Sequence, residues 1–273
     1  MRRVTLPGTG INVSRLSFGT ASLHHLLTGR QRQDLLAAAF DHGFTHFDTA
    51  PYYGFGIAEH ELGRFLKGRR GKVTIATKVG LYPPGSLYPN TSSVWIRKVA
   101  GKVLPVFSRA VVDWSISAAS KSLDGSLRRL GIDQIDLLLL HEPISGAVQT
   151  EVFLEWLKEE QGKGRIRAWG LAGQADCMDT WLSMNHPLGM VLQVRDSLDR
   201  READLVRFQG RDLQITYGYL SSSSSLPGSL TAMEILEAAM RRNATGSILV
   251  STRKLARLGE LAAIAERDNV VNN

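Results

Sequence analysis

Short apolar runs and longer amphipathic stretches alternate along most of this chain. Strand-like runs fall at Arg15 to Phe18, Thr45 to Phe47, Val73 to Thr77, Ile135 to Leu140, Arg167 to Leu171, Met190 to Val194, Leu213 to Thr216 and Ile248 to Val250, eight in all. Between them lie stretches such as Asp34 to Phe40, Glu61 to Leu66, Ser117 to Leu130 and Phe153 to Leu157, whose apolar residues recur at helical spacing. Strands that alternate with helices pair in parallel through right-handed crossovers and are covered by helices. Eight such units predict an α/β fold, a closed (β/α)8 TIM-type barrel. Ahead of them, Val4 to Leu6 and Ile11 to Val13 flank a Pro7-Gly8-Thr9-Gly10 turn, which predicts an N-terminal β-hairpin acting as a lid or plug.

Two stretches break the alternation. Gly80 to Arg109 is rich in Pro, Gly, Tyr and Ser, then basic and aromatic from Trp95 onward, and reads as a long excursion after the third strand. Ser221 to Ser225, followed by Leu226-Pro227-Gly228, reads as a loop after the seventh. No repeat and no linker separates two cores, so residues 1–273 are expected to form one barrel domain. With 43% apolar and 22% charged residues the chain is globular in composition. Thirty-three basic residues against 26 acidic ones give a formal charge of +7, which favours anionic partners. That charge fits nucleic acid or a membrane surface, and equally a phosphate-bearing cofactor held by a few arginines. A lone Cys177 excludes an intramolecular disulfide. Met1-Arg2-Arg3 starts like a targeting segment, but Leu6-Pro7-Gly8-Thr9-Gly10 stands where an apolar stretch would follow. The run Leu137 to Leu140 is far short of the roughly 18 apolar residues a membrane helix needs. The expectation is a cytoplasmic protein with no membrane or nucleic-acid partner.

Four polar residues end or follow three successive strands. Phe47-Asp48-Thr49-Ala50-Pro51-Tyr52-Tyr53 places an acid at a strand end with a tyrosine five residues on; Lys78 ends the third strand and His141 the fourth. At the C-terminal rim of a barrel such side chains converge on one active site. Gly54-Phe55-Gly56-Ile57-Ala58-Glu59 nearly spells a dinucleotide-binding motif, but Glu59 holds the third glycine position, so a Rossmann site is rejected.

This set resembles the aldo-keto reductase superfamily, whose motifs include a strand-ending Phe-Asp-Thr-Ala with a catalytic tyrosine and a strand-ending His-x-Pro. Ser126 to Leu137 and Gly162 to Gly170 are similar to the family's stretches around the fourth and fifth strands, so the likeness covers nearly the whole chain. The resemblance implies NADP(H) bound in extended form at the barrel rim, and no metal. It implies a catalytic set of Asp48, Tyr53, Lys78 and His141. A nearby cation, Lys78, favours the phenolate of a tyrosine that is otherwise a poor acid at neutral pH. Asp48 pairs with Lys78, His141 donates a hydrogen bond to the substrate oxygen, and Tyr53 donates the proton. His24 and His25, after the first strand, are candidates for substrate contact.

The implied cofactor positions are mixed. Ala172 and Gly173 stand where the family carries a Ser-Asn pair that binds the nicotinamide carboxamide, leaving Gln193 and Gln174 for that role. Tyr217 matches the tyrosine that stacks on the nicotinamide, Leu220 the leucine of the same Tyr-x-Pro-Leu motif, and the loop from Ser221 is placed over the pyrophosphate. Arg253, Arg257 and Glu260 match the adenosine-phosphate segment, and the arginines favour NADP(H) over NAD(H). The expected function is reduction of a small-molecule aldehyde or ketone by NADPH. The alternative is a weakly active or inactive NADP(H)-binding sensor or partner-binding module on the same barrel, with Trp95 to Arg109 as its contact surface. The chain ends soon after its last predicted helix, which implies an open or partner-completed pocket. Neither a protein partner nor an oligomeric state is legible.

Overall fold

A computed structural model describes residues 1–84, 110–222 and 230–271. The chain opens with strands β1 (Arg3–Leu6) and β2 (Ile11–Ser14), paired antiparallel with Leu6 opposite Ile11. Between them Thr9 closes the turn, its hydroxyl donating to the Leu6 carbonyl and accepting from the Ile11 N–H. Eight parallel strands follow: β3 (Leu16–Gly19), β4 (His46–Asp48), β5 (Thr74–Val79), β8 (Ile135–His141), β9 (Ile166–Gly173), β10 (Val191–Arg195), β11 (Ile215–Tyr217) and β12 (Ser247–Val250). They follow one another around a closed barrel in chain order, and β12 returns to pair with β3 through Ile248 opposite Leu16. Each predicted run is found as a barrel strand, with ends displaced by no more than two residues. The fold class is therefore the (β/α)8 barrel with an N-terminal hairpin that the pattern predicts.

The alternation of side chains divides the core in two. Inside the barrel, Ala76, Leu137, Leu139, Ala168, Ala172, Val191 and Ile215 pack with Val4, Leu6, Ile11 and Val13 of the hairpin. The hairpin thus plugs the end where the strands begin, each of its apolar side chains contributing at most about 1.5 to 3 kcal/mol of burial. On the outer face Phe18, Phe47, Ile75, Leu138 and Leu140 pack into the layer shared with the helices. Burial on both faces explains why Leu137 to Leu140 reads as an unbroken apolar run.

The helices carry their own start signals. Gly29–Asp41 and Ala232–Arg242 both begin with a capping box, Thr28 with Gln31 and Thr231 with Glu234. Ile116–Leu130 is capped by Ser115, whose hydroxyl accepts from the Ala118 N–H, and ends at Gly131 in the left-handed region. After β5, two short antiparallel strands, β6 (Leu81–Tyr82) and β7 (Val111–Val112), pair across the base of the predicted excursion. Residues 85–109 of that excursion, including Trp95 to Arg109, lie outside the described residues, as does the Ser223 to Gly228 part of the second loop. Among the described residues no helix is long and apolar enough to cross a membrane.

Candidate active site

Side chains alternate along a strand, so a residue two positions beyond an inward-facing one also faces inward. Lys78 follows Ala76, His141 follows Leu139, Gln193 follows Val191 and Tyr217 follows Ile215, and each of these leaders belongs to the inner core. The same rule that fills the barrel with apolar residues turns these polar ones toward its C-terminal mouth.

There Lys78 is the hub. Its Nζ donates to both carboxylate oxygens of Asp48 at 2.7 Å, to the Thr49 carbonyl at 3.0 Å and to the Tyr53 phenol oxygen at 3.2 Å. Asp48 and Lys78 are each 1% exposed. The amide Nε2 of Gln193 donates to Asp48 Oδ2 at 3.1 Å, so the carboxylate is held from two strands. The Tyr53 ring meets the His141 ring edge-on, centroids 5.9 Å apart and planes at 87°. The four predicted catalytic residues therefore come together, with Gln193 beside them.

Electrostatics follow from burial and pairing. Burial alone would lower the Lys78 pKa, but the charge of Asp48, with Tyr53 and hydrogen bonds to both, carries it above the ordinary lysine range. Burial, aided by Lys78, holds His141 well below the ordinary histidine range, so its ring is neutral at pH 7. For Tyr53 the structure corrects the sequence reading. Lys78 does favour the phenolate, but burial outweighs it and Asp48 opposes it, so the pKa is raised above 10 rather than lowered. The phenol is consequently protonated at neutral pH.

The turn that carries Tyr53 is set by residues the sequence reading did not assign to the site. Gly54, Phe55 and Gly56 all have left-handed backbones, with φ of 60°, 56° and 88°. A Cβ on Gly56 would lie 3.0 Å from Arg129 Cδ. Glu59, three residues on and fully buried, bonds Arg129 Nε at 2.7 Å and accepts the Thr77 hydroxyl at 2.6 Å. Thr77 precedes Lys78, so this buried pair fixes the Tyr53 turn to the lysine strand. Glu59 also sits in the first turn of its helix, Ile57–Leu66, where the helix dipole favours a carboxylate.

The other predicted positions are spread around the rim. His24 and His25 stack with centroids 4.0 Å apart, and His24 packs on Gly54, whose added Cβ would lie 2.4 Å from His24 Cβ. Tyr217, at the end of β11, donates its hydroxyl to Glu142 Oε1 at 3.3 Å. Leu220 is half-buried, and the Ser221 hydroxyl bonds back to the Gly218 carbonyl. Gln174 is exposed, and its backbone N–H bonds Glu142. Arg253, Arg257 and Glu260 are exposed at the start of the helix Ala256–Val271. A concavity of about 830 Å³ lined by Arg3, Arg70, Lys72 and Arg167 lies at the opposite end of the barrel and contains none of the predicted site residues. Among the described residues no cluster of His, Cys, Asp or Glu has the makings of a metal site.

The sequence model of the Aldo/keto reductase family matches residues 15–184, more than half of the chain. Pyridoxal 4-dehydrogenase of Microbacterium luteolum is 35% identical over 49% of this chain and 41% of its own length. Aldo-keto reductase YhdN of Bacillus subtilis is 29% identical over 81% and 62%, and L-galactose dehydrogenase of Arabidopsis thaliana 30% identical over 68% and 53%. The chain thus spans roughly half of the length of these relatives. The structure of an aldo-keto reductase from Bacillus halodurans in its holo form superimposes with a TM-score of 0.73, covering 97% of this chain and 91% of that one at 20% identity. An aldo-keto reductase from Klebsiella pneumoniae in complex with NADPH gives a TM-score of 0.68, covering 97% and 90% at 20% identity. This chain belongs to the aldo/keto reductase family.

The family implies a nicotinamide cofactor, and the residues present fit one. Gln193 Oε1 is buried beside Asp48 with no hydrogen-bond partner among the described residues, an acceptor for which an amide N–H is a suitable donor. Tyr217 lies half-buried at the mouth, where a planar ring can stack on it.

Proposed function

We propose that this protein reduces an aldehyde or ketone to the alcohol with NADPH, Tyr53 acting as proton donor. The observation that carries the reading is Lys78 Nζ bonded at once to the buried Asp48 carboxylate and to the Tyr53 phenol. The cofactor supplies the hydride when bound; the chain's residues do the rest. Tyr53, kept protonated by burial, holds a proton ready for the carbonyl oxygen. Lys78 stabilises the phenolate left behind, and Asp48 keeps Lys78 charged and aimed. Neutral His141 donates a hydrogen bond to the same oxygen where negative charge develops.

Gln193 and Tyr217 would hold the nicotinamide, with Gln174, Leu220 and Ser221 along the path to the pyrophosphate; residues 223–229 lie outside the described residues. The preference for NADP(H) rests on Arg253 and Arg257. Cations at the start of a helix oppose its dipole unless an anion lies between them, and a 2′-phosphate is such an anion. Glu260 is positioned one turn further along for the adenosine. His24 and His25 line the substrate side. The relatives are named for pyridoxal and L-galactose, so hydroxylated aldehydes belong first in a substrate panel.

The test is an NADPH titration followed by tryptophan fluorescence, repeated with NADH and followed by a carbonyl panel. Micromolar NADPH binding, much weaker NADH binding and carbonyl-dependent NADPH oxidation are expected. Binding without turnover across the panel would favour a sensor or binding module, and absence of binding would overturn the cofactor assignment.

A further inference from the structure

The residue after the catalytic histidine has an unusual place. Glu142 adopts a left-handed backbone, φ 51°, although it is not glycine. A non-glycine residue in this region is uncommon, and at a site it marks a side chain steered to a purpose. Its N–H bonds the Ala172 carbonyl at 2.7 Å, which turns the chain over the end of β9. The carboxylate comes to rest on Gly173: a Cβ there would lie 2.7 Å from Glu142 Oε2 and 3.2 Å from its Cδ. The glutamate therefore occupies the room that a side chain at 173 would need, and only glycine leaves that room. It is anchored there by the Tyr217 hydroxyl at 3.3 Å and the Gln174 backbone N–H. Around the carboxylate stand Tyr217, Arg195 and, further in, Lys78 and Tyr53.

Ala172 and Gly173 offer no side-chain hydrogen bond, yet on the neighbouring strand, where Gln193 lies opposite Ala172, Gln193 Oε1 has no partner among the described residues. Asp48, which accepts from Gln193 Nε2, is already paired with Lys78, so among the described residues the carboxylate set beside both Tyr217 and Gly173 is that of Glu142. We propose that Glu142 is a cofactor-binding and specificity residue: its carboxylate accepts a carboxamide N–H of the nicotinamide and, being charged, favours the oxidised, cationic ring over the neutral dihydro form. The idea rests on the nucleotide-binding reading of the site. A carboxylate serves here as an acceptor supplied from β8 in place of one from β9. Tighter binding of the oxidised form makes the bound reduced cofactor a stronger hydride donor, by thermodynamic linkage.

Although part of the residue is open to solvent, the carboxylate lies against Gly173 and Tyr217, and desolvation pushes its pKa up while Tyr217, Gln174, Lys78 and Arg195 oppose the shift. The test is therefore made at pH 8, above the ordinary carboxylate range. Wild type and Glu142→Gln, which keeps the shape and an amide oxygen as acceptor, are titrated calorimetrically with NADP+ and with NADPH. A unit charge near a cationic ring at a partly wet site is worth about 10-fold in affinity. The expected result is a loss of about 10-fold for NADP+ with NADPH changed by less than about 3-fold; retained NADPH binding shows that the variant is folded. A parallel loss for both forms, or no change in their ratio, would overturn the proposal while leaving the site a nucleotide site. Failure of wild type to bind either form would overturn the nucleotide reading itself, and this proposal with it.

Discussion

Removing both members of the Asp48–Lys78 pair should cost the protein no more than removing one. Each side chain is 1% exposed, and the ammonium spends two of its contacts, both 2.7 Å, on the carboxylate. Asp48→Ala leaves a buried cation whose remaining hydrogen-bond partners among the described residues are the Thr49 carbonyl and the Tyr53 phenol. Lys78→Met leaves a buried anion whose other side-chain donor is Gln193 Nε2. Breaking a buried pair from one side costs about 3 to 5 kcal/mol, because the survivor keeps its desolvation penalty. Independent single effects would sum to about 6 to 10 kcal/mol, whereas the double variant holds no stranded charge and should lose no more than either single, about 3 to 5. The coupling energy is then about 3 to 5 kcal/mol. Urea unfolding of the four proteins, followed by circular dichroism at pH 7.5, measures it. A double variant whose loss equals the sum of the singles to within about 0.5 kcal/mol would refute the reasoning.

Three further outcomes are expected. Glu59→Ala strips Arg129 and Thr77 of a fully buried partner and should cost about 3 kcal/mol in the same unfolding assay, with kcat falling as the Tyr53 turn loosens; an unchanged midpoint would speak against the anchor. His46 is buried, bonded to Thr74, and held down to about 3, so its contribution is complete above the unfolded value near 6.5 and is lost as pH falls toward 3. About 2 kcal/mol should go between pH 7.5 and pH 5 on its account, and His46→Gln should flatten the profile by that amount. Arg253→Ala should weaken NADPH by about 10- to 150-fold, the range of charge-assisted hydrogen bonds, while NADH changes little; equal effects on both nucleotides would remove the case for a 2′-phosphate contact.

The barrel was legible because its signal is local and repeated. Buried runs such as Leu137 to Leu140 and the alternation with helices mark each strand, and Asp48, Lys78 and His141 mark where strands end. Relations that depend on distant residues meeting were not legible. Glu59 and Arg129 are 70 positions apart, and the sole hint was that Thr77, which also donates to Glu59, adjoins Lys78. Tyr53 shows the same limit: the cation beside it was readable, but the burial that outweighs that cation is a property of the folded mouth. Glu142 lay hidden because its role depends on a left-handed backbone and on the space that Gly173 leaves empty.

The central claim is that Tyr53 delivers the proton during carbonyl reduction. Its most direct test is NADPH oxidation by wild type and Tyr53→Phe with the best carbonyl substrate, alongside NADPH affinity for both. The account predicts a kcat lower by about 10² to 10⁴, equivalent to roughly 3 to 5.5 kcal/mol in the barrier, with cofactor affinity within about 3-fold of wild type. A variant that turns over at close to the wild-type rate would contradict it.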